Sequence, residues 1–437
     1  MPKTKNIWDV FYINDEFFIY PIIDKIKNKE EYKRLFSNFI SLSVLQAANY
    51  ILPLITLPYL VRVLGPEKYG LVSFAQAFIG YFMILTDYGF NLSATREISI
   101  NRDNKEKLSE IFSSVMTIKA GLLIVSFVLM SIIVFSFGKF SRDWPIYYLT
   151  FGMVLGQVLF PVWFFQGMER MKYITVLNIT AKLIFTVAIF VFVHSEFDYL
   201  KVPLLNSAGY LIAGVISLYV LKKNFKPDFK FYNFKKLKEY FKDSTQFFLS
   251  RVSVSIYTSS NSFVLGLFTN NTMVGYYSIA EKLYQAVQYL YAPLNQVLYP
   301  YVSNSKNINL FKKIFKTVVI VNIIFVLIVF LFSNNLFNLL FSDRATLESV
   351  KVFNIFLIAT IVVVPSVLIG YPLLGGMGHP EYANKSVIYG SMVHLIGLLI
   401  LILIGKINPI AVAFMVVITE SSVFFMRNHW VKNIAYE

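Results

Sequence analysis

The chain has 437 residues, 56% of them hydrophobic and only 15% charged, with a mean hydropathy of +0.60. Soluble domains carry about a quarter charged residues, so a chain whose few charges sit in short patches between apolar runs is excluded from the ordinary globular class. The lack of cysteine excludes a thiol nucleophile, an iron–sulfur cluster and a disulfide scaffold.

Residues 1–33 form a polar extension. Within it, 17–23 (FFIYPII) is apolar but far shorter than a ~30 Å hydrocarbon core requires. It reads either as a segment lying on the membrane surface or as a disordered one. The extension is too polar for a signal peptide, and the first apolar run has the length of a spanning helix. From there the sequence predicts an all-α polytopic membrane protein with about twelve transmembrane helices. The predicted spans are 36–61, 70–92, 111–137, 144–166, 173–193, 203–221, 244–268, 274–302, 315–340, 350–374, 384–405 and 407–427.

With both termini cytoplasmic, the inside segments hold most of the Lys and Arg. Lys25, Lys27, Lys29, Lys33 and Arg34 precede span 1, and Arg96, Arg102, Lys105 and Lys107 follow span 2. A dense run, 222–243 (KKNFKPDFKFYNFKKLKEYFKD), separates spans 6 and 7, and Lys306, Lys312, Lys313 and Lys316 follow span 8. The outside loops hold few, mainly Arg62, Lys68, Lys139, Arg142, Lys201, Arg344 and Lys406. This is the positive-inside asymmetry. The net charge of +15 therefore reads as a topology signal and a contact for anionic membrane lipid, not as a nucleic-acid surface. The four histidines show no paired spacing that suggests a metal site.

The basic run divides the chain into an N-terminal lobe, 34–221, and a C-terminal lobe, 244–437, each of about six helices. Phe231, Phe234, Leu237 and Phe241 recur at helical spacing among its lysines, as in a surface-lying helix. The halves share a weak repeat. GLVSFAQ at 70–76 aligns with GYYSIAE at 275–281, and both open the second helix of their half. An even number of spans per repeat relates the halves by an axis along the membrane normal.

Polar stripes inside spans are costly and call for a cause. In span 8, Tyr277, Glu281, Tyr284, Gln288, Tyr291 and Asn295 step by four, three, four, three and four along one face. Arg251, Ser255, Thr258 and Ser262 share a face of span 7, Ser43, Gln46, Asn49 and Thr56 mark span 1, and Ser73, Gln76 and Asp87 mark span 2. Facing one another, these four helices would line a central polar cavity between the lobes, although interhelical hydrogen bonding accounts for small polar residues equally well. Arg251 and Lys182 lie roughly 10 and 15 Å into their helices at 1.5 Å per residue, as cations suited to an anionic substrate. Glu281 and Asp87 fit two roles, ion-pair partners or carboxylates for a coupling proton or sodium ion. Lys119 and Lys282 fit snorkelling. Tyr284 and Tyr291 offer a ring face and a hydroxyl that suit a sugar. Pro53 and Pro58 mark span 1 either as a bending element or as a fixed kink.

No Gly-rich phosphate loop, GxSxG elbow or HExxH pair occurs, so the reading is of a non-enzyme without an ATP-driven motor in this chain and without a cofactor beyond a possible coupling H+ or Na+.

Residues 53–70 (PLITLPYLVRVLGPEKYG) with the following SFAQAF resemble the opening of the polysaccharide or O-antigen repeat-unit flippases, the Wzx-like family of the MOP transporter superfamily. DYGFNLSATREIS at 87–99, QGMERM at 166–171 and PLNQVLYPYVS at 293–303 are similar to the same family, and the resemblance covers about 34–430. It implies a V-shaped bundle of two six-helix lobes around a cationic cavity lined by spans 1, 2, 7 and 8. It implies transfer of an undecaprenyl-diphosphate-linked oligosaccharide from the cytoplasmic to the periplasmic leaflet of the bacterial inner membrane, driven by an ion gradient or the membrane potential. Arg62 and Arg96 match family motif positions and are expected to be structural or gating. A polysaccharide polymerase and a chain-length regulator are the implied pathway partners. Rival readings are a drug or metabolite exporter of the same superfamily and a membrane polymerase or acyltransferase.

Overall fold

The structure, a computed structural model, describes residues 30–305, 308–342 and 347–434; side chains 30–36, 39, 250–251, 253–259, 292–293, 296, 305 and 434 lie outside that description. The described residues form helices and no strand. In chain order they are α1 (Glu30–Asp87), α2 (Phe90–Ile100), α3 (Lys105–Ser136), α4 (Gly138–Ser141), α5 (Trp144–Leu159), α6 (Val162–Gly167), α7 (Met171–Phe192) and α8 (Lys201–Asn224) in the first half. The second half holds α9 (Phe234–Phe268), α10 (Asn271–Tyr289), α11 (Ala292–Ser305), α12 (Ile308–Leu331), α13 (Ser333–Phe341), α14 (Leu347–Leu368), α15 (Pro380–Leu403) and α16 (Pro409–Ile434). Among the described residues, nine helices are long and apolar enough to cross a membrane. One of these stretches, Ile40–Ile100, is 61 residues long and holds more than one pass, so the order is compatible with about twelve. The polar α9 and α10 fall outside the apolar criterion.

Several spans are interrupted where the sequence predicts continuity. Within α1, Gly65 takes φ 73° and ψ 167°, which separates spans 1 and 2. Glycine adopts positive φ without a Cβ clash, and the following Pro66 has no N–H to offer the helix. Span 2 ends at Asp87, not at residue 92, because Tyr88 and Gly89 are left-handed (φ 45° and 76°) before α2 starts. A Cβ on Gly89 would come within 2.8 Å of Phe247 and Phe248, so the close approach of α9 requires glycine there. Span 4 breaks at Phe160–Pro161, span 8 between Tyr289 and Ala292, and span 10 ends in a π-helical turn, Ile369–Gly375, with Gly370 outside helical geometry. α9 starts ten residues before the predicted span: at Phe234 it takes in the second half of the basic run. Phe231 and Phe234 are 85% and 78% exposed there, while Ser109 and Ser113 of α3 accept the backbone N–H groups of Asp228 and Lys230.

Packing explains how the halves meet. One apolar core draws on both, with Leu57, Phe74 and Phe78 beside Val274, Tyr277 and Phe356. A second core, with Ile98, Phe112, Trp163 and Phe165, belongs to the first half, and a third, with Leu298, Val302, Leu368 and Leu374, to the second. The shared core lies toward the face that carries Gly65. The separate cores lie toward the opposite face, where α1 begins and α16 ends. The halves thus share a core at the first face, while toward the second each has a core of its own. Outward-facing apolar residues such as Ile124, Phe135, Leu331 and Leu403 remain 63% or more exposed, as expected of a surface solvated by lipid.

Candidate functional site: a cleft between the lobes and a pocket behind it

The first face is sealed by backbone contacts. Gly70 of α1 lies against Asn271 and Gly275 of α10, and Gly275 lies against Pro66; a Cβ on either glycine would run into the opposing backbone. Small residues permit this approach, which is how helices associate tightly where the surroundings are apolar. Arg62 adds to the seal by donating from Nε to the Leu340 carbonyl (2.7 Å) and from Nη2 to that of Leu339. Lys139 donates to the carbonyls of Leu267 and Thr269 at 3.1 and 2.6 Å. Each bond ties one half to the other and terminates carbonyls that helix ends leave without partners.

Below the seal, α1 and α7 of the first half face α10 of the second. Lys182 of α7 donates to Asn49 Oδ1 at 2.6 Å. Asn49 adjoins Tyr50 on α1, and Lys282 lies two turns before Tyr289 on α10, so Lys182 and Lys282 flank the place where Tyr50 and Tyr289 bring the halves together. Tyr50 stacks on Tyr289, seven residues beyond Lys282, with ring centroids 3.3 Å apart. Gln46 is exposed one turn before Tyr50. Lys182, Lys282, Asn49, Gln46 and the tyrosine pair therefore form a cationic, aromatic cleft. Lys282, read from sequence as a snorkelling residue, belongs to it; its seven-residue step to Tyr289 was the available signal.

The helix-8 stripe does not face this cleft as a unit. Tyr277 and Tyr284 are buried in the second half against Phe356 of α14, at centroid separations of 5.4 and 4.6 Å. Glu281 accepts from Ser262 of α9 at 3.4 Å. Further along, Gln288, Tyr291 and Asn295 line a pocket of about 250 Å³ with valines of α14 and with Glu420, Val423 and Arg427 of α16. Glu420 and Arg427 were not singled out from sequence, although they share a face seven residues apart on the last span. Arg427 is only 7% exposed, and its Nε and Nη1 donate to Ser386 Oγ and to the Ser366 carbonyl, each at 2.8 Å. It thereby supports the interrupted end of α14. Non-helical backbone at membrane depth must be buried and satisfied by protein.

Other predicted residues lie toward the second face. Asp87 is 4% exposed and its charge acts on Lys119, which is 1% exposed. The snorkelling assignment of Lys119 is corrected: its side chain is enclosed by protein and does not reach the surface. Arg96 pairs with Glu97 at 3.0 Å and lies over the Phe247 ring. Ser93 and Ser244 share a 2.7 Å hydrogen bond, so α9 starts on the first half. It then crosses to the second, where Asn261 meets the buried His394, which also contacts Thr419. Pro53 is exposed and Pro58 half-buried, both in the first arm of α1. The side chains of Arg251, Ser255 and Thr258 lie outside the described residues. Among the described residues no cluster of His, Asp and Glu could hold a metal.

Residues 35–306 match the family described as polysaccharide biosynthesis protein. A protein of Escherichia coli (strain K12) named "Putative O-antigen transporter" is 31% identical over 275 residues, 62% of this chain and 66% of that protein. One of the same name from Shigella dysenteriae is 29% identical over 266 residues, 61% of this chain and 67% of that one. The chain thus spans about two-thirds of the length of these relatives. Among solved structures, lipid II flippase MurJ in an inward closed conformation superposes with a TM-score of 0.73 at 15% identity, over 90% of this chain and 87% of that one. An inward-facing multidrug resistance MATE family transporter of the MOP superfamily gives 0.65 at 14% identity, over 90% and 97%. At such identities the likeness is one of fold. Residues 35–306 being more than half of the sequence, the chain belongs to the polysaccharide biosynthesis protein family, and its fold is like that of the two solved structures.

Proposed function

We propose that this protein is a flippase that carries an undecaprenyl-diphosphate-linked oligosaccharide repeat unit from the cytoplasmic to the periplasmic leaflet of the bacterial inner membrane. Both termini are cytoplasmic in this reading, and the lobes, 34–221 and 244–437, exchange access to the two leaflets. The observation that carries it is the contact between the lobes at Tyr50 and Tyr289, with Lys182 held beside it by Asn49 and Lys282 two turns away on α10. Two cations are poised for an anionic diphosphate, and cationic donors to phosphate make the stronger class of hydrogen bond. The stacked Tyr50 and Tyr289 offer aromatic surface to a sugar. The family match and the printed name of the bacterial relatives support the same reading.

The lipid tail stays in the bilayer while the head group enters the cleft. Energy comes from a proton or sodium gradient or the membrane potential, with Glu281 and Asp87 as candidate carboxylates. A polymerase and a chain-length regulator act on the product.

The test is the fate of the lipid-linked unit when the protein is removed from its host. Accumulation of intact diphosphate-linked units on the cytoplasmic leaflet, with loss of surface polysaccharide, supports the proposal. Units that reach the periplasm and fail only to polymerise overturn it.

A further inference from the structure

The pocket behind α10 is separate from the cleft. Among the described residues its lining comes from the second half: from α10, α11 and the turn between them, and from α14, α15 and α16. The interruption of span 8 lies on the border, since Tyr289 belongs to the cleft stack and Tyr291 to the pocket.

Its lining is mixed. Val363, Val364, Val367, Val387 and Val423 are apolar, Gln288 and Asn295 contribute amides, and Glu420 and Arg427 mark two positions about 10 Å apart along α16. Tyr291 is fixed by donating to Asn322 Oδ1 at 2.9 Å, and Asn322 in turn donates to the Thr360 carbonyl. Asn295 Oδ1 is buried and has no hydrogen-bond partner among the described residues. A buried acceptor of that kind calls for a donor, from water or from a ligand.

A metal ion is a poor match, because the pocket contributes one carboxylate. An isoprenoid chain matches the valines but offers no donor to the buried Asn295 Oδ1. The volume, about 250 Å³, lies below the ~300–1,000 Å³ of pockets for drug-sized ligands and limits the occupant to a small group such as a single sugar ring. A pyranose presents C–H groups on its faces and hydroxyls at its rim, which suits a lining of valines and amides.

We propose that this pocket holds one hexopyranose ring of the transported oligosaccharide and so helps to select which repeat units are carried. This rests on the flippase reading above. Asn295 Oδ1 accepts from a ring hydroxyl, and the valines pack against a C–H face.

The test is saturation-transfer NMR on the full-length protein in detergent micelles, with free glucose, galactose, N-acetylglucosamine and glucuronic acid as probes. Transfer to the ring protons of at least one sugar is expected. It should fall at least tenfold in Asn295→Leu and in Val367→Phe, which narrows the pocket, with thermal unfolding of each variant as the check on folding. If no sugar receives transfer from the unsubstituted protein, the pocket holds only water and the proposal fails. If transfer survives both substitutions in folded protein, the ring binds elsewhere and the proposal fails as well. Either failure leaves the flippase reading intact, because the leaflet assay tests that separately.

Discussion

Gly70 and Gly275 occupy matching positions in the two sequence repeats, and each packs against the backbone of the other's helix. A side chain on either would strike the opposing main chain. The repeat thereby places a near-symmetric, small-residue contact at the face where the halves share a core. Gly70→Val or Gly275→Val should force the sealed face open. With Met273→Cys in this otherwise cysteine-free chain, labelling by a membrane-impermeant maleimide should rise several-fold in either background. Unchanged labelling in both would mean that the seal does not depend on the glycines.

Arg62 donates to two carbonyls across the same seal. Hydrogen bonds from a charged donor contribute about 1.5–3 kcal/mol where they are protected from water. The Arg62 side chain is exposed, so the lower end applies. Arg62→Ala should raise maleimide labelling at Met273→Cys less than either glycine variant does, and Arg62→Lys should restore part of the seal.

Lys119 and Asp87 are both almost fully buried, and the charge of Asp87 acts on Lys119 without a direct ion pair between them. Removing one of two buried opposite charges leaves the other less compensated. Lys119→Met should therefore lower the unfolding temperature in detergent sharply, and Lys119→Met with Asp87→Asn should recover a large part of the loss. A double variant no more stable than the single one would show that the two charges do not compensate each other.

The cleft cations make a different prediction. Lys182→Ala and Lys282→Ala remove charge from a partly open space, so both proteins should insert and fold. Surface polysaccharide should fall at least tenfold in the double variant and less in either single one. Arg251→Ala is expected to impair export as well. Wild-type export from all of these would remove the cationic cleft from the mechanism.

Arg427 supplies a test of the interrupted helix. Its guanidinium lies against Gly370 and holds Ser366 and Ser386. Arg427→Ala should cost about 3 kcal/mol through lost charged hydrogen bonds at a buried break. Arg427→Lys should retain less than half of that, since one ammonium cannot reproduce the planar fork. The measurement is thermal unfolding in detergent.

How much was legible beforehand depended on the kind of information involved. The sequence by itself determined the positions of the apolar runs, the placement of Lys and Arg in alternate loops, the repeat that pairs Gly70 with Gly275, and the presence of Lys182 in the middle of a span. These follow from local physics: segment length against bilayer thickness, and the cost of charge in hydrocarbon. Helical spacing also put Tyr277, Tyr284, Gln288, Tyr291 and Asn295 on one face of span 8. It could not say which neighbour that face meets. Spacing fixes an angle about a helix's own axis, while the partner depends on the packing of every other helix.

Only the tertiary structure sent Tyr277 and Tyr284 against Phe356, opened the rest of the stripe on a pocket, and enclosed Lys119 beside Asp87. The interruptions at Tyr88–Gly89 and Ile369–Gly375 were hidden for a related reason. Inside a membrane, lipid and a neighbouring helix are equally apolar, so hydropathy cannot separate a buried, broken helix from a continuous lipid-facing one. The contacts of Gly89 with α9 and of Arg427 with the end of α14 made that distinction, and both come from segments remote in the chain.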